Sequence, residues 1–212
     1  MGKAQRAPPT DSLFPDLQRP QIYTLSPSPD RIRQMSTHDL FPPAAPDFSD
    51  PLGLLRACHE RVLQHCELLL KLADHLAGHG VDQEARETAA KIHKYFSVAG
   101  KHHHQDEEQD IFPRLSRVSL KLADRVHRLK QQHQSIDALW GQIAPLLNRP
   151  AAVEDHAAFK AVAQQLAELY RDHIRMENEE LLDVAQHIFS REELKQIGEK
   201  MAERRGVQIK LR

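Results

Sequence analysis

Aromatic residues make up only 5% of this 212-residue chain. Ala, Leu, Glu, Gln, Lys and Arg dominate instead, a bias that favours helix over sheet. Neither charge is in surplus: 29 basic and 30 acidic residues leave a net charge of -1. That excludes a basic field for nucleic acid and an acidic one for cationic partners. No apolar run is long enough to span a membrane. The few basic residues at the N-terminus are not followed by an apolar stretch, so no secretory signal is expected there. Cysteine is scarce, with only Cys58 and Cys66. Eight positions apart in one predicted helix, they lie roughly 12 Å from each other, too far for a disulfide. Free thiols fit a reducing compartment, and a cytoplasmic location is expected.

Histidine, by contrast, is abundant, with 14 residues. Two segments containing it read as one motif written twice: His103-His104-Gln105-Asp106-Glu107-Glu108-Gln109-Asp110-Ile111-Phe112 and His173-Ile174-Arg175-Met176-Glu177-Asn178-Glu179-Glu180-Leu181-Leu182. Each copy is a His, three residues, a Glu, an acid-rich turn and an apolar pair. Residues four apart stack on one helix face, so each copy aims an imidazole and a carboxylate at one point. Neutral nitrogen with hard oxygen is a donor set that suits iron, manganese or zinc.

Prolines and caps divide the chain. Residues 1–48 hold Pro8-Pro9, Ser26-Pro27-Ser28-Pro29 and Pro42-Pro43, and read as an extended or disordered Pro-rich arm. Residues 49–189 read as a helical bundle, and 190–212 as a short fifth helix and tail. Asp50-Pro51 opens helix one, which runs to about His79 and stops at Gly80. Asp82 opens helix two, which runs to about Asp110, with Pro113 ending it. Ser119 opens helix three, to about Leu146, and helix four covers about 154–188. Ser190-Arg191-Glu192-Glu193 is a capping box for the fifth, which stops at Gly206.

The four long helices carry apolar stripes at three- and four-residue spacing. On helix two the stripe is Ala85, Ala89, Ile92, Phe96, Ala99, His103 and Glu107. On helix four it includes Leu166, Leu169, His173, Glu177, Leu181, Val184 and Ile188. His59 interrupts the stripe of helix one between Leu55 and Val62. His133 interrupts that of helix three between Leu129 and Ile136. Short loops make neighbouring helices antiparallel, so the expected fold is all-α: an up-down-up-down four-helix bundle. The stripes would bury six polar groups, costing several kcal/mol without partners. Metal ligation by His59, His103, Glu107, His133, His173 and Glu177 would satisfy them. A frame using His104 and Glu108 is also open, but Asn178 follows Glu177, so only His103 with Glu107 aligns both copies. Glu108, Glu179 and Glu180 read as solvated acids or at most as groups that support a ligand from behind, and His65, His75, His79, His93, His127, His156 and His187 as surface residues.

On Cys58-His59-Glu60, His103 through Pro113, Gln132-His133-Gln134 with Trp140 downstream, and His173 through Leu181, the chain resembles the hemerythrin-like, or HHE cation-binding, family. The resemblance implies a bundle around a non-heme di-iron centre (Fe) with those six residues as ligands. Two departures stand out. Oxygen-carrying hemerythrins have a fifth His where this chain has Leu129, and His-x4-Asp where it has His173-x3-Glu177. The implied function is binding of oxygen, peroxide or nitric oxide for sensing, storage or scavenging. An oxidase or peroxidase at the same centre is the alternative, disfavoured because His precedes Glu and carboxylates are few. A metal- or redox-responsive module signalling through the arm is a further variant. Expected partners are small molecules, with neither nucleic acid nor membrane among them.

Overall fold

The computed structural model describes residues 46–208. Apart from 46–48, the Pro-rich arm lies outside the described residues. Among these residues all regular structure is helical, and no helix is long and apolar enough to cross a membrane.

Helix α1 (Pro51–His79) opens behind Asp50, whose side chain accepts from the Gly53 N–H. Pro51 follows, where its missing N–H costs nothing. Gly80 ends the helix at φ 76°, a left-handed conformation that favours glycine. Helix α2 spans 83–115 without a break, in five pieces: Gln83–Tyr95, a π-helical turn Phe96–Gly100, Lys101–Asp106, a second π turn Glu107–Ile111, and Phe112–Leu115. Helix α3 (Leu120–Asn148) is capped by Ser119, accommodates Pro145 in its last turn, and leads through a 3-10 turn, Pro150–Ala152. Helix α4 spans 156–188, with a π turn Glu177–Leu182 between His156–Met176 and Asp183–Ile188. Helix α5 (Arg191–Arg204) starts on the reciprocal Ser190–Glu193 capping box.

Helix α2 thus continues past Asp110 and through Pro113, beyond the sequence expectation. Proline clashes with the carbonyl four residues back in a regular helix. Here the wider π turn lies immediately before it.

The π turns also displace the stripes. An i→i+5 turn holds one extra residue, so the buried face moves one position along. On α2, Gly100 is buried and Ala99 only half-buried. On α4, Ala185 and Phe189 are buried, where the regular stripe predicts Val184 and Ile188, and Ile188 is exposed. Helix α1, with no π turn, buries a regular stripe of Leu55, His59, Val62, Cys66, Leu69, Ala73 and Leu76, and α3 one of Leu122, Val126, Leu129, His133, Ile136, Ile143 and Leu147, with Trp140 half-buried among them.

Helix α1 packs against α2 and α4, and α3 against the same two. Side-chain contacts fix the sense of each pair. His75 meets Asp82 while Cys58 meets Tyr95. Asp74 pairs with Lys160 while Arg56 pairs with Asp183. Asn148 meets His93 while His133 meets Glu108. In each pair the numbering runs in opposite directions along the two helices.

Apart from His75, Thr88 and the two aspartates Asp106 and Asp110, the described interior is apolar on both sides of one polar layer. One block includes Leu69, Leu72, Ala89, Ile92, Ile143 and Leu166. The other gathers Leu55, Ile111, Phe112, Leu129, Leu181 and Leu182 under Ile197 and Met201 of α5. Leu129, where oxygen carriers have their fifth His, is therefore a packed core residue with no exposed surface. At Gly198 a Cβ would lie 1.8 Å from the Phe48 carbonyl oxygen, so only glycine lets α5 sit against the chain entering α1. Both cysteines are free. Cys66 is buried on the stripe, and burial pushes its thiol up to about 12.

Candidate metal centre

All six stripe-breaking residues converge in the polar layer, each at most 2% exposed. With His104 they form two overlapping groups. His59, His103, Glu107 and Glu177 make one, and His104, Glu107, His133 and His173 the other, with the donor atoms of each within 4.8 Å of one another. Glu107 belongs to both. Its Oε1 lies 2.8 Å from His103 Nε2 and 3.6 Å from His59 Nε2, and its Oε2 3.3 Å from His133 Nε2. Glu177 also touches both sides: its Oε2 is 3.2 Å from His59 Nε2 and 3.4 Å from His173 Nε2.

These contacts are short but lack hydrogen-bond direction. Both oxygens of Glu107, both of Glu177, His59 Nε2 and His104 Nε2 are buried without a hydrogen-bond partner. Buried polar atoms are nearly always paired. Six orphaned donor atoms around one point are what a metal cluster would satisfy, and the mix of imidazole and carboxylate suits iron.

The outward-facing ring nitrogens of three of these histidines are tied down. His59 Nδ1 lies 2.8 Å from Asn178 Oδ1, His133 Nδ1 2.7 Å from Glu108 Oε1, and His173 Nδ1 3.1 Å from Gln132 Oε1. An oxygen acceptor at Nδ1 fixes the proton there and turns Nε2 inward, the support that ligating histidines usually have. Glu108 and Asn178 thereby hold equivalent places. Each comes directly after the Glu of one motif copy and supports the histidine of the adjacent helix.

Electrostatics reflect the crowding. Burial opposes charge on His59, yet the carboxylates of Glu107 and Glu177 raise its pKa to about 9. His103 is held well above the ordinary value, burial being outweighed by Glu107 and by Cys58. His133 is raised too, against burial, by Glu107 and Glu108. Glu107 lies well below the usual carboxylate range, because His103, His133 and His59 overcome its burial. For His104 burial and the neighbouring His133 act together, and its pKa falls to about 3. A neutral imidazole with a free Nε2 is available there.

His104 is the residue that the repeat passes over. It stacks on His133 with ring centroids 3.9 Å apart, and the motif frame, aligned on His103, gives it no counterpart. Its sequence signals are its place in the run His102-His103-His104 and its four-residue spacing to Glu108. His75 also departs from expectation: it is buried and lies 2.8 Å from the cap residue Asp82, so it anchors the α1–α2 turn.

A helical bundle with a buried, twice-repeated His/Glu layer across its interior belongs to the metal-binding bundles. Residues 50–185 match the hemerythrin HHE cation binding domain, and the chain belongs to this family. A similar protein is an uncharacterized one from Haemophilus influenzae, 29% identical over 160 residues, which span 76% of this chain and 92% of that one. Membership makes this a metal-binding protein, with iron as the metal the family implies.

Proposed function

We propose that the layer is a non-heme di-iron centre within an antiparallel four-helix bundle, and that it takes up oxygen, peroxide or nitric oxide. His59, His103 and Glu177 would hold one ion, and His133, His173 and His104 the other, with Glu107 shared between them. The observation that carries this reading is Glu107: its two oxygens face different histidine sets, and neither oxygen has a hydrogen bond. Two iron ions supply the redox chemistry that such small reactants require. The chain's own part is to orient and to shield. Asn178, Glu108 and Gln132 hold the imidazoles in the tautomer that presents Nε2. Leu55, Phe112 and Leu129 adjoin the layer on one side and Val62 and Ile136 on the other, each at most 1% exposed, and shield it from solvent there. His104 adds a third imidazole to the side that Leu129 leaves short. Binding of a small molecule, rather than turnover, fits a site with only two buried carboxylates. The test is iron content and absorption spectrum after anaerobic reconstitution, then after exposure to air. About two iron ions per chain and an oxygen-dependent near-ultraviolet band are expected. Less than about one ion per chain would refute the reading.

A further inference from the structure

A cavity of about 330 Å³ opens from the surface between α2 and α3 and reaches the centre's edge at His104. Three aromatic rings line it, Phe96, Trp140 and Tyr170. The Phe96 ring is 5.1 Å from that of Trp140 and 5.5 Å from that of Tyr170. Two of the three π turns begin at Glu107 and Glu177, the third at Phe96. That third turn carries no candidate ligand, yet Phe96, Ser97 and Gly100 of it all face the cavity. Single π turns inside α-helices concentrate at functional sites. Gly100 is an interior helix residue, an unfavourable place for glycine. Its missing side chain leaves the cavity its width.

The wall's polar groups define the occupant. Glu108 and Asp137 supply carboxylate acceptors, and Lys101 stands with them. Glu108 is already engaged by His133 Nδ1 at 2.7 Å. An anion would meet two carboxylates. A cation would find one already engaged and the other offset by Lys101. A neutral flat ring carrying a hydroxyl can stack on the aromatic frame and donate to a carboxylate. We infer that this cavity binds a small, uncharged hydroxylated aromatic molecule of the phenol class beside the centre. The binding itself does not rest on the di-iron reading.

Trp140 is the chain's single tryptophan, so its fluorescence, excited at the red edge of its absorption, reports on the cavity directly. The full chain, metal-free and iron-loaded, would be titrated with phenol, benzylamine and benzoate. Phenol should give a saturable change in both forms, at least about tenfold tighter than either charged ring. Gly100→Leu, which fills the cavity, should abolish it, and Ser97→Leu at the exposed mouth should weaken it, both with unchanged helical content. No saturable response to phenol, an equal or tighter fit of a charged ring, or undiminished binding in both variants would overturn the assignment. Because the metal-free form is titrated separately, a failure of the iron reading leaves this result standing, and the reverse.

Discussion

Glu107 and Glu177 occupy the same structural position in two different helices: each is the residue at which an α-helical turn gives way to a π turn. Each His-x3-Glu is regular helix up to its Glu, and the wider turn begins there. Asn178 and Glu108 stand in the second position of those turns, and each reaches a histidine of the adjacent helix.

The two glutamates are nonetheless unequal. Glu107 contributes to both donor groups and Glu177 to one. Glu107→Gln keeps the size of the side chain but removes its charge and one acceptor oxygen. It should reduce bound metal from about two ions per chain to at most one, whereas Glu177→Gln should weaken one ion and leave the other. Metal content after dialysis separates the two variants, and equal losses would show that Glu177, whose Oε2 also lies 3.4 Å from His173 Nε2, is shared as Glu107 is or that neither is.

The supporting acceptors give a finer test. Asn178→Ala and Gln132→Ala leave every donor atom of the cluster in place but free His59 and His173 to turn. Loss of such a partner typically lowers metal affinity by about 10- to 100-fold. Competition with a chelator should show this fall while the thermal stability of the metal-free protein changes little. An unchanged affinity would mean the rings are held by packing alone.

Much of the fold and of the centre is legible in the sequence, and the reason is periodicity. Helices α1 and α3 have no π turn, and their stripes, with His59 and His133 as the polar interruptions, can be counted directly. The motif copies locate the other four residues because each His and its Glu are separated by regular helix. The π turn that each Glu opens is hidden. An extra residue in a turn leaves no compositional mark, so Ala185 and Phe189 replace Val184 and Ile188 in the core without any signal. His104 is legible only as a competing frame with Glu108: a neighbouring position normally points about 100° away, and the packing of the helices around it brings its ring onto His133.

Metal-free protein should lose stability as pH rises through the upper neutral range. The pKa of His59 is about 9 in the fold against an ordinary 6.5. A raised pKa contributes stability that is present in full below 6.5 and is lost as pH climbs to about 9. The size is on the order of 3 kcal/mol for one such group. Glu107 and Glu177 act in the opposite range, since their lowered pKa values contribute stability that is lost in acid. Metal affinity should instead increase with pH, because protons compete for Nε2. Thermal melts of the metal-free protein from pH 6 to 9.5 (a window bracketing both His59 values) would show the decline. His59→Leu should flatten it, and a stability that rises over this window would contradict the assignment.

Helix α5 is tied to the segment of α2 that carries Glu107. Asp106 and Asp110 flank that residue and are at most 1% exposed. Arg204 pairs with both, meeting Asp110 at 2.6 Å, while Arg205 binds Asp106 at 2.6 Å and Lys200 reaches Asp110 at 3.1 Å. Arg204→Met leaves the two buried carboxylates with weaker partners. Breaking a buried pair costs about 3–5 kcal/mol, and the loss here should be smaller because Arg205 and Lys200 remain beside the two aspartates. If the latch also positions Glu107, metal affinity should fall beyond what the stability loss explains, and Arg204→Lys should restore part of it. A stability loss with unchanged affinity would confine α5 to closing the core.

Gly198 and Gly141 make opposite predictions for the same change. At Gly198 a new Cβ meets the Phe48 carbonyl oxygen at 1.8 Å, a backbone atom that can move only if α5 lifts from the start of α1. Gly141, in α3, has nothing within 4 Å. Gly198→Ala should therefore destabilise by about 1–3 kcal/mol. Gly141→Ala should stabilise by about 0.5–1 kcal/mol, as relief of an interior helix glycine. Chemical denaturation of the two variants decides it. A neutral Gly198→Ala would mean that α5 does not pack against the chain at Phe48.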